Sequence, residues 1–278
     1  MKPELTPADI ARHEEVFETQ VNLQSRLLDF LEQEDEFQVL DEAWDEFNLY
    51  EDIPMNPEEP EPVLHFFPWA LFYWRRDVEE DFLDAARDET VDDDIESLIS
   101  DLSEDDASYV TLPPIAQMFM NSVDGADGPD GPAAGQTLTV NERQYIDAAA
   151  RSPYSFFKVQ AVGPGPFVTL EDLIEPDQKR VYAQALVDML EDDDVIYAQI
   201  VSIDDTHILS GVAPAVLPGF AQEAIAQARA RIEAMIPEMG EDWRYEIEYE
   251  LRAFYQKLIS DLQDTGDDED GAIMTSTH

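Results

Sequence analysis

Along the first third of the chain, apolar positions recur at helical spacing. Ile10, Phe17, Val21, Leu28 and Leu31 share one face of a long helix. Its start is written in Thr6-Pro7-Ala8-Asp9. Thr6 can cap, Pro7 occupies a first helical position where its missing N–H costs nothing, and Asp9 faces the positive end of the dipole. A second helix is expected from Phe37 to Tyr50. The proline-rich acidic stretch Pro54 to Pro62 interrupts the pattern, helix resumes from Pro68 through Ala86, and shorter helices are expected at Ile95–Leu102 and Ile115–Ser122.

After Asp124-Gly125-Ala126-Asp127-Gly128-Pro129-Asp130-Gly131-Pro132, a run of turn and breaker residues, the pattern changes. Thr139 and Glu142 have the spacing of a capping box, opening a helix that runs to about Ala150. Beyond it the period becomes two. Phe157, Val159 and Ala161 alternate with Lys158 and Gln160, the signature of a half-buried strand. Phe167–Leu170, Val195–Ile203 and His207–Val212 read as further strands. Val181–Leu186 reads as another, although the Ala, Gln, Leu and Met residues of Val181–Leu190 also suit helix. Phe220–Ile236 reads as an Ala/Gln/Arg-rich helix broken at Pro237, and Trp243–Leu262 as an amphipathic helix with Trp243, Ile247, Leu251, Phe254 and Leu258 on one face.

These elements predict an α+β fold: a mainly helical N-terminal part followed by a small antiparallel β barrel or sheet flanked by helices. The expected divisions are a helical domain over 1–122, a flexible Asp/Gly/Pro linker over 123–137, and a β unit with its leading helix over 138–218. C-terminal helices over 219–263 and a disordered acidic tail over 264–278 complete the chain.

Charge changes the picture more than any motif. The chain has 64 acidic residues against 16 basic ones, a formal net of −48 over 278 residues. Hydrophobic content of 44% and aromatic content of 10% are nevertheless those of a folding chain rather than of a disordered acidic one. Lysine is scarce (Lys2, Lys158, Lys179 and Lys257), and acids occur in every segment. Evenly spread carboxylates with few lysines fit adaptation to high salt, where the Debye length falls from about 10 Å at 0.1 M to about 3 Å at 1 M. Mimicry of a nucleic-acid backbone is the competing reading, because an array of carboxylates can imitate phosphates. Direct binding of nucleic acid is disfavoured for want of clustered Lys and Arg.

Candidate chemistry is sparse. The chain has no cysteine, so disulfides, thiolate metal sites and cysteine nucleophiles are excluded. His13, His65, His207 and His278 never show the H-E-x-x-H spacing, and the Asp124, Asp127 and Asp130 spacing misses that of an EF-hand. Gly163-Pro164-Gly165 joins two strands rather than opening a helix, and there is no G-x-S-x-G. No cofactor, metal site or catalytic set is therefore expected. No signal peptide or membrane-spanning run is visible, so the expected location is the cytoplasm.

The densest aromatic block draws together Trp44, Phe47, Tyr50, Phe66, Phe67, Trp69, Phe72, Tyr73 and Trp74, followed by Arg75. Core packing of the helical part is one account. A partly exposed groove for a protein or peptide is the other, since Trp, Tyr and Arg dominate interface energies. The binding candidates on that account are Trp44, Phe47, Tyr50, Phe66, Phe67, Trp69, Tyr73, Trp74 and Arg75.

Ala43-Trp44-Asp45-Glu46-Phe47 with Pro68-Trp69-Ala70-Leu71-Phe72-Tyr73-Trp74 resembles the N-terminal half of a group of uncharacterised bacterial proteins that contain an SEC-C motif. So does the series Leu138–Ile146, Ser152–Val159, Leu170–Leu173 and Val195–Val201, in the same order. Relatives in that group often end in a zinc knuckle of Cys and His, which this cysteine-free chain cannot form. The group implies no reaction. The expected function is accordingly that of an acidic cytoplasmic interaction protein with a protein or peptide partner. A nucleic-acid mimic that binds a DNA- or RNA-binding protein comes second, and an enzyme of unknown reaction third.

Overall fold

In a computed structural model of the chain, the described residues are 6–49, 51, 53–56, 62–75, 112–124, 138–184, 186–238 and 243–266. The expected helix at Ile95–Leu102, most of the linker and nearly all of the acidic tail lie outside them. The architecture is the expected α+β arrangement, with an N-terminal helical region followed by a five-stranded sheet and further helices.

Helix α1 (Pro7–Glu34) starts as the sequence dictates. Thr6 Oγ1 accepts from the Asp9 amide while the Asp9 carboxylate accepts from the Thr6 amide. Its buried face is rotated from the one expected. His13, Gln20, Leu23, Leu27 and Leu31 are interior, whereas Val21 is exposed. Two polar residues can occupy that face because each finds a partner: Gln20 Nε2 donates to the Ser210 carbonyl at 2.6 Å, and His13 Nδ1 lies 2.7 Å from the Asp9 carbonyl.

Helix α2 (Gln38–Phe47), a π-helical turn at Pro62–Phe66 and α3 (Phe67–Phe72) follow. The helix expected from Pro68 onward ends at Phe72, where Tyr73 and Trp74 both turn back to the Trp69 carbonyl. Then come α4 (Pro114–Asp124) and α5 (Val140–Ala150), the latter opened by the Thr139–Glu142 capping box.

The strands are β1 (Tyr154–Val162), β2 (Phe167–Asp172), β3 (Gln178–Tyr182), β4 (Val195–Ile203) and β5 (Thr206–Val212). They pair in the order β1-β2-β3-β5-β4, and β4 returns to β1, so the sheet closes into a small barrel. Two expectations need correction. The sheet is mixed, because β3 and β5 run parallel and meet at Tyr182 and Ile208. Val181–Leu190 is neither a strand nor a helix throughout: β3 ends at Tyr182, and Val187–Met189 is a short 3-10 turn. The polar segment Gln178-Lys179-Arg180 pairs with β2 and remains partly exposed, so no apolar alternation marks where β3 begins.

Both sides of the sheet are apolar. Ile196, Ala198 and Ile200 of β4 fill the barrel with Phe157, Val159, Val168, Leu170, Val181 and Leu209. The alternate residues Val195, Tyr197, Val201 and Ile203 face outward into a larger core shared with the helices. This is why β4 reads as a nearly continuous apolar run. Helices α6 (Ala221–Met235) and α7 (Trp243–Gly266) complete the fold, α7 lying against β1.

Candidate functional site

The aromatic block is interior. Trp44 and Phe47 on α2, Phe66 in the π turn, Trp69 on α3, and Tyr73 and Trp74 just after it are all buried. Phe67 is half-buried, and Tyr50 lies outside the described residues. The rings pack edge to face and tilted: Trp44 meets Phe66 at 4.8 Å, and Phe47 meets Trp69 at 5.3 Å. Of the two accounts of this block, core packing is the one the coordinates display. Arg75 is half-buried, its guanidinium 4.9 Å above the Tyr245 ring, while Tyr245 Oη donates to the Arg75 carbonyl at 2.7 Å.

The block surrounds an ionic pair. Glu248 and Arg252 of α7 are both buried, with Nε to Oε1 at 3.7 Å. The Arg252 guanidinium lies 4.4 Å from the Trp69 ring centre and 5.6 Å from that of Phe47. Among the described residues its nitrogens make no hydrogen bond, so ring faces and one carboxylate are what hold this charge. Tyr197 Oη donates to Glu248 at 3.2 Å. Burial, then the Glu248 charge, pushes the phenols of Tyr73, Tyr154 and Tyr197 well above their ordinary range, so they stay protonated donors. The sequence carried a signal for this pair. Glu248 and Arg252 are one turn apart, each one position after the apolar Ile247 and Leu251 of the same face.

On the surface, a cleft of about 490 Å³ lies between α1, α5 and the end of β4. Ala8, Ala11, Val16 and Ile203 give it small apolar walls, and Arg12, Glu15, Thr19, Asn141 and Gln144 give it polar ones. Asn141 Nδ2 donates to Glu15 across it at 2.9 Å, and Arg12 reaches Asp204 at 2.7 Å. Underneath, Tyr145 Oη is 2.8 Å from Ser210 Oγ, which fixes the floor. Amide side chains flanking small residues can accept an extended peptide backbone. None of these lining residues stood among the sequence candidates, because Ala, Asn and Gln carry no compositional signal.

Other polar centres have local explanations. Asp172 accepts from Ser155 Oγ and from the amides of Ile174 and Glu175, which ties the turn after β2; burial pushes its carboxyl up. His207 Nδ1 lies 2.9 Å from Ser202 Oγ, and burial, then Lys179, lowers its pKa. Among the described residues no three His, Asp or Glu side chains gather as a metal site would need. No helix among them is long and apolar enough to cross a membrane.

A family of unknown function (DUF7986) matches residues 133–243, which span α5, the whole barrel and α6. No curated protein and no solved structure matches the chain.

Proposed function

We propose that the protein is an acidic, cytoplasmic interaction protein that binds a cation-rich segment of a partner protein in the cleft between α1 and α5. The observation that carries this reading is the disposition of charge. Of the thirteen Lys and Arg among the described residues, at least eight are held in intramolecular ion pairs. Exposed Glu15 lines the cleft, and exposed Asp204 and Asp205 follow directly on its Ile203 wall. A surface so disposed attracts basic partners and repels polyanions.

Exposed acids sit on α1, α2, the barrel loops, α6 and α7 rather than on one stripe. That spread favours salt adaptation over nucleic-acid mimicry as the origin of the charge. It is also compatible with kinship to the SEC-C group, whose zinc knuckle this chain lacks.

The test is affinity capture at molar salt with the full chain and with Ala11→Arg, a change on the exposed wall of the cleft that a helix accepts readily. A Lys/Arg-rich protein retained by the first and lost from the second is the expected result. Capture that is indifferent to the substitution removes the cleft from the proposal. A melting temperature that stays flat between dilute and molar potassium chloride removes the salt-adaptation reading.

A further inference from the structure

The far end of the barrel carries a second, chemically different surface. The chain passes it four times: at the end of β1, in the turn Val187–Met189, in the acidic run Glu191–Asp194, and in the segment after β5. Three of these pieces are tied together. The Val162 amide donates to Asp192 at 3.0 Å, the Asp193 amide donates to the Val159 carbonyl, and Leu217 and Val195 exchange both backbone hydrogen bonds. Gly219 lies beside the Asp193 carbonyl, where a Cβ would make an ordinary van der Waals contact at 3.6 Å. Phe220 and Met189, 72% and 61% exposed, project from this end, joined by exposed Val162 and Val216. Large side chains left in water are unremarkable singly; here Val162, Val216 and Phe220 stand on segments tied to the Glu191–Val195 run, and Met189 stands two residues before it, so the four border one acidic segment.

Its rim is anionic. Asp188, Glu191, Asp192 and Asp193 are all exposed, and Lys158, 2.6 Å from Asp193, is already committed. A second copy of this chain would bring like charges to the same rim. We propose that this end of the barrel docks a cationic amphipathic segment of the partner protein, apolar side chains on Phe220 and Met189 and Lys or Arg on the surrounding carboxylates. The proposal rests on the reading above that the partner is basic. It adds an apolar anchor, which gives affinity that salt does not screen, as molar brine requires.

The absence of native cysteine allows a direct test. In the full chain, Glu223→Cys on the face of α6 near Phe220 receives an environment-sensitive dye, and Asn22→Cys, one turn past Thr19, receives it as a control. Two synthetic probes are titrated in dilute and in molar salt: a 14-residue Leu/Lys amphipathic peptide and a Ser/Lys peptide of equal charge. The expected result is a saturable blue shift at position 223 with the Leu/Lys peptide. It survives high salt, is roughly tenfold or more weaker with the Ser/Lys peptide, and falls by a similar factor in Phe220→Ser/Met189→Ser. Equal responses to both peptides, or no effect of the double substitution, would overturn this docking site while leaving a basic partner in place. No binding of either peptide in dilute salt would overturn both. Self-association of the unmodified chain, abolished by the double substitution, would assign the patch to a second copy instead and overturn the proposal.

Discussion

The two cores of this protein are built from opposite materials. Inside the barrel, apart from Phe157, the buried residues are Val, Leu, Ile and Ala, with no buried charge. Outside it, between the sheet and the helices, lie Trp44, Phe66, Trp69, Phe72, Trp74, Tyr145, Tyr154 and Tyr197 around the Glu248–Arg252 pair. A small closed sheet leaves room only for compact side chains that fix its radius. Joining seven helices to the curved outside of that sheet requires large flat ones, whose rims and faces adapt to uneven gaps. The aromatic block is thus the joint between regions, and the difference teaches that aromatic density alone does not announce a binding surface. The family match takes in the barrel with α5 and α6, and with them Tyr145, Tyr154 and Tyr197 of the joint, and begins after the segment that carries Trp44 to Trp74.

If that comparison is right, the joint should fail before the barrel does. Trp69→Ala removes a fully buried ring that touches Phe47, Phe66 and Trp74 and covers Arg252. The expected loss is about 3–5 kcal/mol, read from the denaturant midpoint. Ile196→Val inside the barrel should cost only about 0.5–1.5 kcal/mol. Glu248→Ala sharpens the point: stranding a buried guanidinium should cost about 3–5 kcal/mol. A joint that tolerates either change better than the barrel tolerates Ile196→Val would invert the comparison.

Gly211 tests where the two regions touch. It lies on β5 beneath Tyr154, and a Cβ built there would sit 1.9 Å from Tyr154 Oη and 3.0 Å from Pro68 Cβ. Tyr154 cannot simply swing aside, because it is fully buried and its hydroxyl donates to the His65 carbonyl at 3.2 Å. Gly211→Ala should therefore destabilise by about 1–3 kcal/mol. The additional variant Tyr154→Phe should recover part of that loss. No recovery would mean that the crowding arises elsewhere.

How much of this was legible beforehand depended on whether the deciding interactions were local. Both capping boxes, at Thr6 and Thr139, are written within four residues and were readable. So were β1, β2, β4 and β5, whose apolar runs report a buried sheet. The rotated face of α1 was not, because the partner that lets Gln20 be buried is Ser210, 190 residues away. β3 eluded periodicity because its pairing residues are polar. The aromatic candidates were read from the right residues, yet whether a ring faces water or another ring is decided by α7, far along the chain. The α1–α5 cleft left no trace in composition at all.

The smallest expected effect concerns the cap at the edge between the regions. Glu142 is largely buried at the start of α5. Burial alone would raise its pKa, but bonds from the Thr139 amide and hydroxyl and from Arg26 outweigh it, and the carboxyl ends below its ordinary value. A carboxyl whose folded pKa is depressed stabilises above its unfolded value, near 4.5, and loses that contribution as pH falls through the folded one. Thr139→Ala should cost about 1 kcal/mol at neutral pH. The gap between it and the unaltered chain should narrow in acid, because protonating Glu142 weakens the same bonds in both. Thermal melts from pH 7 down to pH 3 would measure this. A gap independent of pH would mean that the Thr139 hydroxyl acts by accepting from the Glu142 amide and not by donating to the Glu142 carboxylate.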